Sequence, residues 1–274
     1  MRIVDIDGMF REYLKSWMEE NSGKATSDEL EGKMHEVYIR FINERRPELD
    51  GLSPSEYFSG FSDAEELVRA MREYEDAGLD APDLMLERVV EIGKEAVKPL
   101  MRLVMDEDAC ECLRATALNL LTAIGDEAPV EYCLSLIDTR EDEDDLADIA
   151  AQFLQSLGEK PVAPMLNRLD SVGESALCTY LDILCNFPGD ERIYIYTMRE
   201  FITNPDKRAM YAALLGKLGD ERAIKALTAA LDLPDVNYLD YLEIRNSIEM
   251  LGGEVNHDRV YDGDRYYETL KNIE

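Results

Sequence analysis

The chain has 274 residues, with 59 acidic against 29 basic side chains and a formal net charge of −30. That excess repels phosphate and anionic lipid, which disfavours general nucleic-acid binding and docking on a membrane surface. A hydrophobic content of 46% is too high for an unfolded polyanion, and the length suits one long domain or two ordinary ones.

The sequence holds no apolar run long enough to cross a bilayer. Asp5 and Asp7 interrupt the start where a signal peptide needs an apolar stretch. The expectation is a cytoplasmic protein. Five cysteines, an odd number in a chain of this size, do not read as a disulfide framework. Cys110 and Cys112 form a C-x-C with no second such pair and no neighbouring histidine, so a zinc site lacks ligands. They read as ordinary buried or half-buried thiols.

Residues 1–80 read as helices. Phe10, Tyr13, Leu14 and Trp17 make one stripe at helical spacing, with Trp17 read as core; Met34, Val37, Tyr38 and Phe41 make another. Thr26 with Glu29, Ser53 with Glu56 and Ser62 with Glu65 have capping-box spacing, and Pro54 falls at a first helical position. A fourth helix is expected over 62–76, with Leu67, Val68 and Met71 inward. Two readings of this segment stand side by side: a cap over the apolar end of the remaining chain, or a small binding module.

From residue 83 onward a period appears. Apolar helical runs end at Gly93, Gly125, Gly158, Gly189, Gly219 and Gly252, spaced by 32, 33, 31, 30 and 33 residues. Gly-Asp-Glu-Arg occurs twice, at 189–192 and 219–222. A glycine after a helix can take the left-handed conformation that closes it, and the acids beyond it suit the start of the next helix. First helices are expected near 83–92, 112–124, 145–157, 175–187, 206–218 and 240–251. Second helices are expected near 95–105, 128–138, 161–170, 191–202, 221–232 and 255–273. A unit this short cannot bury its own apolar face, so neighbours must stack.

The pattern resembles HEAT-like repeats of the short type known from phycocyanobilin lyases. Arg208, Ala212, Leu215, Gly216, Leu218, Gly219, Asp220, Ala223 and Leu227 carry the best match, and Arg114, Ala117, Leu121, Ile124, Gly125 and Asp126 the next. The resemblance implies an all-α fold: a right-handed solenoid of about six helix-turn-helix repeats over residues 81–274, behind an N-terminal helical segment at 1–80. It says little about activity, because such repeats serve many functions.

Catalytic patterns are missing from the sequence. The histidines are His35 and His257 only, and neither forms a triad order or nucleophile elbow. Deoxyhypusine hydroxylases, which are HEAT-like, bind iron through repeated His-Glu pairs; this chain has one, His35-Glu36, outside the repeats. HEAT-like DNA glycosylases grip DNA with a basic face, at odds with the charge here. In such solenoids the second helices usually line the concave side. Their outward positions supply the candidate binding residues: Lys98, Arg102, Tyr132, Asn167, Arg168, Tyr194 and Arg199. Arg168 and Arg199 fall ten residues after their glycines, in register to stack. The expected function is a non-enzymatic adaptor for a protein or peptide, preferably basic, with no cofactor or metal, no nucleic acid and no membrane. The alternative is a lyase- or isomerase-like enzyme with a site spread over several repeats.

Overall fold

A computed structural model describes residues 1–21, 32–141, 143–255 and 259–271. Among them are sixteen α-helices, three short 3-10 turns and no strand, so the fold is all-α. The Thr26–Glu29 capping box, Asn256 and His257 lie outside the described residues. The chain divides into two compact units, Met1–Glu131 and Tyr132–Glu274.

In the first unit, α1 (Ile6–Asn21) and α2 (Met34–Asn43) meet through their aromatic stripes. Phe10 lies 5.3 Å from Tyr38 and 5.1 Å from Phe41, ring centre to ring centre. Trp17, expected in the core, is only half-buried. The stripe it ends belongs to a helix whose one fully buried residue is Ile6. α3 (Pro54–Ser59) starts at the expected capping box: the Glu56 amide donates to the Ser53 hydroxyl and the Ser53 amide to the Glu56 carboxylate. α4 (Ala64–Asp76) begins two residues later than expected. Asp63, not Ser62, caps it, accepting from the Glu65 amide at 2.9 Å. Both side chains can cap, but a carboxylate also favours the positive end of the helix.

α4 packs against α5 (Asp83–Ile92), α6 (Lys94–Val104) and α7 (Glu111–Ile124). Leu67, Met71 and Tyr74 of α4 share a core with Met85, Leu100 and Leu118, all fully buried. Each such side chain contributes roughly 1.5–3 kcal/mol through removal from water. The Tyr74 hydroxyl donates to the Val4 carbonyl and accepts from the Val4 amide, which fastens the start of the chain to α4.

α8 (Val130–Asp138) begins at the boundary. The second unit continues with α9 (Asp145–Ser156), α10 (Val162–Leu166), α11 (Glu174–Leu184), α12 (Glu191–Thr203), α13 (Arg208–Leu218), α14 (Ile224–Ala230), α15 (Tyr238–Met250) and α16 (Arg265–Lys271). Sequential neighbours pack in pairs: α11 on α12, α12 on α13, α14 on α15. First helices of successive periods also meet, α9 on α11 and α13 on α15. All six register glycines have positive φ, and Gly125 and Gly219 are left-handed C-caps, at φ 73° and 76°. The aspartate after the glycine then caps the next segment. Asp126, Asp190 and Asp220 accept from the amides two residues on, at 2.9–3.0 Å.

Four expected helices differ, the second helix over 221–232 being a 3-10 turn at Glu221–Ala223 and an α-helix only over Ile224–Ala230. The second helix over 161–170 is only Val162–Leu166, followed by turns through Ser171. The first helix expected over 175–187 ends at Leu184. The last, expected over 255–273, is helical only from Arg265 among its described residues. Asp264 accounts for that late start: its carboxylate accepts from the amides of Tyr266 and Tyr267, and also of Tyr238 at the head of α15.

Candidate functional site

The outward face of α12 is the most informative surface. The helix buries Ile193, Tyr196, Thr197, Glu200 and Phe201. On the other side Ile195 is 53% exposed and Ile202 64%, with exposed Arg199 between them. These three sit at i, i+4 and i+7, one continuous strip of helix surface. The segment Ile193-Tyr194-Ile195-Tyr196 is apolar on every side, the mark of a helix with a second surface to cover. That signal was in the sequence, yet Ile195 and Ile202 were not among the expected site residues.

Arg199 donates to the Glu200 carboxylate at 2.8 and 3.0 Å, and its guanidinium lies 4.4 Å from the centre of the Tyr196 ring. Tyr196 in turn donates to Asp170. Arg168 is half-buried and bonded to Asp138 at 3.2 Å and to the Pro164 carbonyl. Asn167 is exposed and Tyr132 half-buried. In the first unit, Lys98 and Arg102 are exposed on α6 at i and i+4, with exposed Met105 completing the strip at i+7. Arg102 bonds to Glu65 of α4. So Arg102, Arg168 and Arg199 each already hold an acid of their own unit.

Tyr194 belongs to a second feature. The two Gly-Asp-Glu-Arg turns come together and enclose an open cavity of about 490 Å³, lined in part by Gly189, Asp190, Glu191, Tyr194, Asp220 and Arg222. The Arg222 guanidinium lies 4.2 Å from the centre of the Tyr194 ring. It donates to Glu191 at 2.7 and 2.9 Å and to Asp220. Hydrogen bonds from Arg222 hold the Glu191 and Asp220 carboxyls below their usual range, and Arg192 holds Asp190 down to about 2. Burial pushes the Tyr194 hydroxyl up. All three acids therefore stay ionised at neutral pH, each bonded to an arginine, and Glu221 also lines the cavity.

Among the described residues no three His, Cys, Asp or Glu side chains are placed to hold a metal ion. His35 is exposed on α2. No helix is long and apolar enough to cross a membrane among the residues described. Compared with protein-family models the chain matches none, and it likewise matches no curated protein.

Proposed function

We propose that this chain is a non-enzymatic binding module built as a HEAT-like solenoid, and that it takes a basic, partly apolar segment of a partner protein. In that reading the helix pairs from α5 onward are about six stacked repeats of right-handed superhelical course, α1–α4 cap one end, and the second helices line the concave side. The exposed strip Ile195–Arg199–Ile202 is the observation that supports it. Two large isoleucines on one helix face are costly to leave in water, and covering both offers roughly 2–4 kcal/mol of transfer free energy. The four acids of the neighbouring Gly-Asp-Glu-Arg cavity outnumber the two arginines that bind them, Arg192 and Arg222, and so set the sign of the partner. A segment with two apolar side chains at the strip and lysine or arginine reaching the cavity satisfies both.

The test is binding of amphipathic lysine-rich peptides against the same peptides with glutamate in place of lysine, followed by fluorescence anisotropy over a salt series. The lysine peptides should bind and weaken as salt rises. Ile195→Asp with Ile202→Asp should lower their affinity by at least about tenfold, since about 1.4 kcal/mol of lost apolar contact suffices. Equal binding of both peptide sets, or an unchanged affinity in the double variant, sinks the reading.

A further inference from the structure

The cysteines divide sharply. Cys133 and Cys185 are buried, and burial pushes their thiols up to about 12 and about 11. Cys178 is half-buried beside Met210, its sulfur 3.2 Å from the methionine sulfur. Cys110 and Cys112 are both exposed, against the expectation of buried or half-buried thiols. They line one cavity of about 320 Å³ in the first unit, with Met71 and Leu79 on its apolar side and Glu75 and Asp80 on its acidic one.

The backbone brings the α-carbons of these two cysteines within bridging distance. Cys110 is the N-cap of α7, and Glu111 between them is the first helical residue. The distance between α-carbons two apart depends only on the intervening residue. Helical geometry at Glu111 therefore puts those of Cys110 and Cys112 about 5.4 Å apart. That is inside the range a disulfide spans, about 4.4–6.8 Å. The two thiols are not equivalent. Cys110 accepts from the Leu113 amide at 3.2 Å, and a hydrogen bond with Glu75, then burial, push its thiol up. Cys112 is the second helical residue and opens on the same cavity.

We propose that Cys110 and Cys112 form a reversible dithiol–disulfide site for small cationic disulfides of the aminothiol class, with Cys112 attacking and Cys110 resolving. The Cys112 thiolate bonds to one sulfur of the incoming disulfide. Its S–S bond breaks, and the departing thiolate takes up the proton that Cys112 released. Cys110 then attacks the Cys112 sulfur of the mixed disulfide, its proton passing by way of Glu75 to the second departing thiolate. Two protein thiols are oxidised to one disulfide, and one small disulfide is reduced to two thiols. The acids Glu75 and Asp80 in the cavity, with Glu107, Asp108 and Glu111 beside it in sequence, select for positive charge and repel an anionic disulfide such as that of glutathione. Closing the bond draws the Cys110 sulfur from the Leu113 amide and so removes the cap of α7.

The test uses the whole chain, incubated with cystamine or with glutathione disulfide, quenched with an alkylating agent and digested for mass spectrometry. Cystamine should yield a peptide spanning 110–112 that lacks two hydrogens, carries neither cysteamine nor alkyl group, and reverts with dithiothreitol. Glutathione disulfide should react at least about tenfold more slowly. Cys110→Ser keeps a good cap and should stop at a stable cysteamine adduct on Cys112. Separate adducts on both cysteines, first reaction at Cys178, equal rates with the two disulfides, or no reaction would each overturn the proposal.

Discussion

The Arg222 guanidinium reaches from one Gly-Asp-Glu-Arg turn to the carboxylate of Glu191 in the other, with its two bonds at 2.7 and 2.9 Å. The two residues are 31 apart in sequence, one more than the 30 that separate Gly189 and Gly219. Arg222 also holds Asp220, the cap of its own turn, and covers the Tyr194 ring. One side chain thus joins the two Gly-Asp-Glu-Arg turns.

That clasp has a pH signature. Arg222 holds the folded-state pKa values of Glu191 and Asp220 below their ordinary values. Their contribution to stability is therefore full above the ordinary carboxylate range and is lost as pH falls through the depressed values. Arg222→Gln should lower the urea midpoint at pH 7 relative to the parent chain. The gap should narrow below about pH 4 and close in stronger acid. A gap independent of pH would show that Arg222 acts through its packing on Tyr194 alone.

The turns were the legible part of the sequence, and for a physical reason. A left-handed residue at a helix end is nearly always glycine, so Gly125 and Gly219 announce themselves, and the aspartate after each can cap the next segment. The helix starts at Asp145 and Glu191 come from the same chemistry, with Asp144 and Asp190 as caps. Helix ends without such a residue were less legible: α10 and α11 stop at residues with ordinary helical φ and ψ. The candidate site was legible only by position. Periodicity places Arg102, Arg168 and Arg199 on second helices, but nothing in one dimension shows that Glu65, Asp138 and Glu200 already occupy them. Ile195 and Ile202 were missed because an isoleucine in a helix reads as core until its own helix proves to have another buried face.

Gly216 tests how closely α13 and α15 approach. It lies inside α13, where a glycine weakens a helix, yet a β-carbon built there would stand 3.1 Å from the Ser247 α-carbon of α15. Gly216→Val adds bulk that the backbone of α15 cannot yield to. It should cost about 2 kcal/mol or more, measured by urea unfolding. A neutral result would mean that α13 and α15 sit farther apart than this contact requires.

Ser53 is a buried hydroxyl at a capping box, with Pro54 next in the chain. Ser53→Ala removes the acceptor of the Glu56 amide and should destabilise the chain by about 1 kcal/mol. Ser53→Asp restores an acceptor but introduces a carboxylate beside Glu56 at a buried position, so it should recover only part of the loss. Full stability in the alanine variant would show that the Glu56–Arg45 pair and Pro54 suffice to start α3.

Two buried tyrosines separate the worth of a hydroxyl from the worth of its ring. Tyr180 and Tyr211 are both fully buried. The Tyr180 hydroxyl donates to the Asp138 carboxylate at 2.6 Å and lies 3.2 Å from the Leu134 carbonyl, so it ties α11 to α8. Among the described residues the Tyr211 hydroxyl meets no hydrogen-bond partner, and burial pushes its pKa up. Tyr180→Phe loses a bond to a charged acceptor and leaves Asp138 short of a donor, at a cost of about 1.5–3 kcal/mol. Tyr211→Phe removes only an unsatisfied buried group, whose burial itself costs about 1–3 kcal/mol. It should leave stability unchanged or raise it. Chemical denaturation of the two variants beside the parent chain decides the matter. If Tyr211→Phe proves as damaging as Tyr180→Phe, the Tyr211 hydroxyl is doing in solution what the Tyr180 hydroxyl does for Asp138.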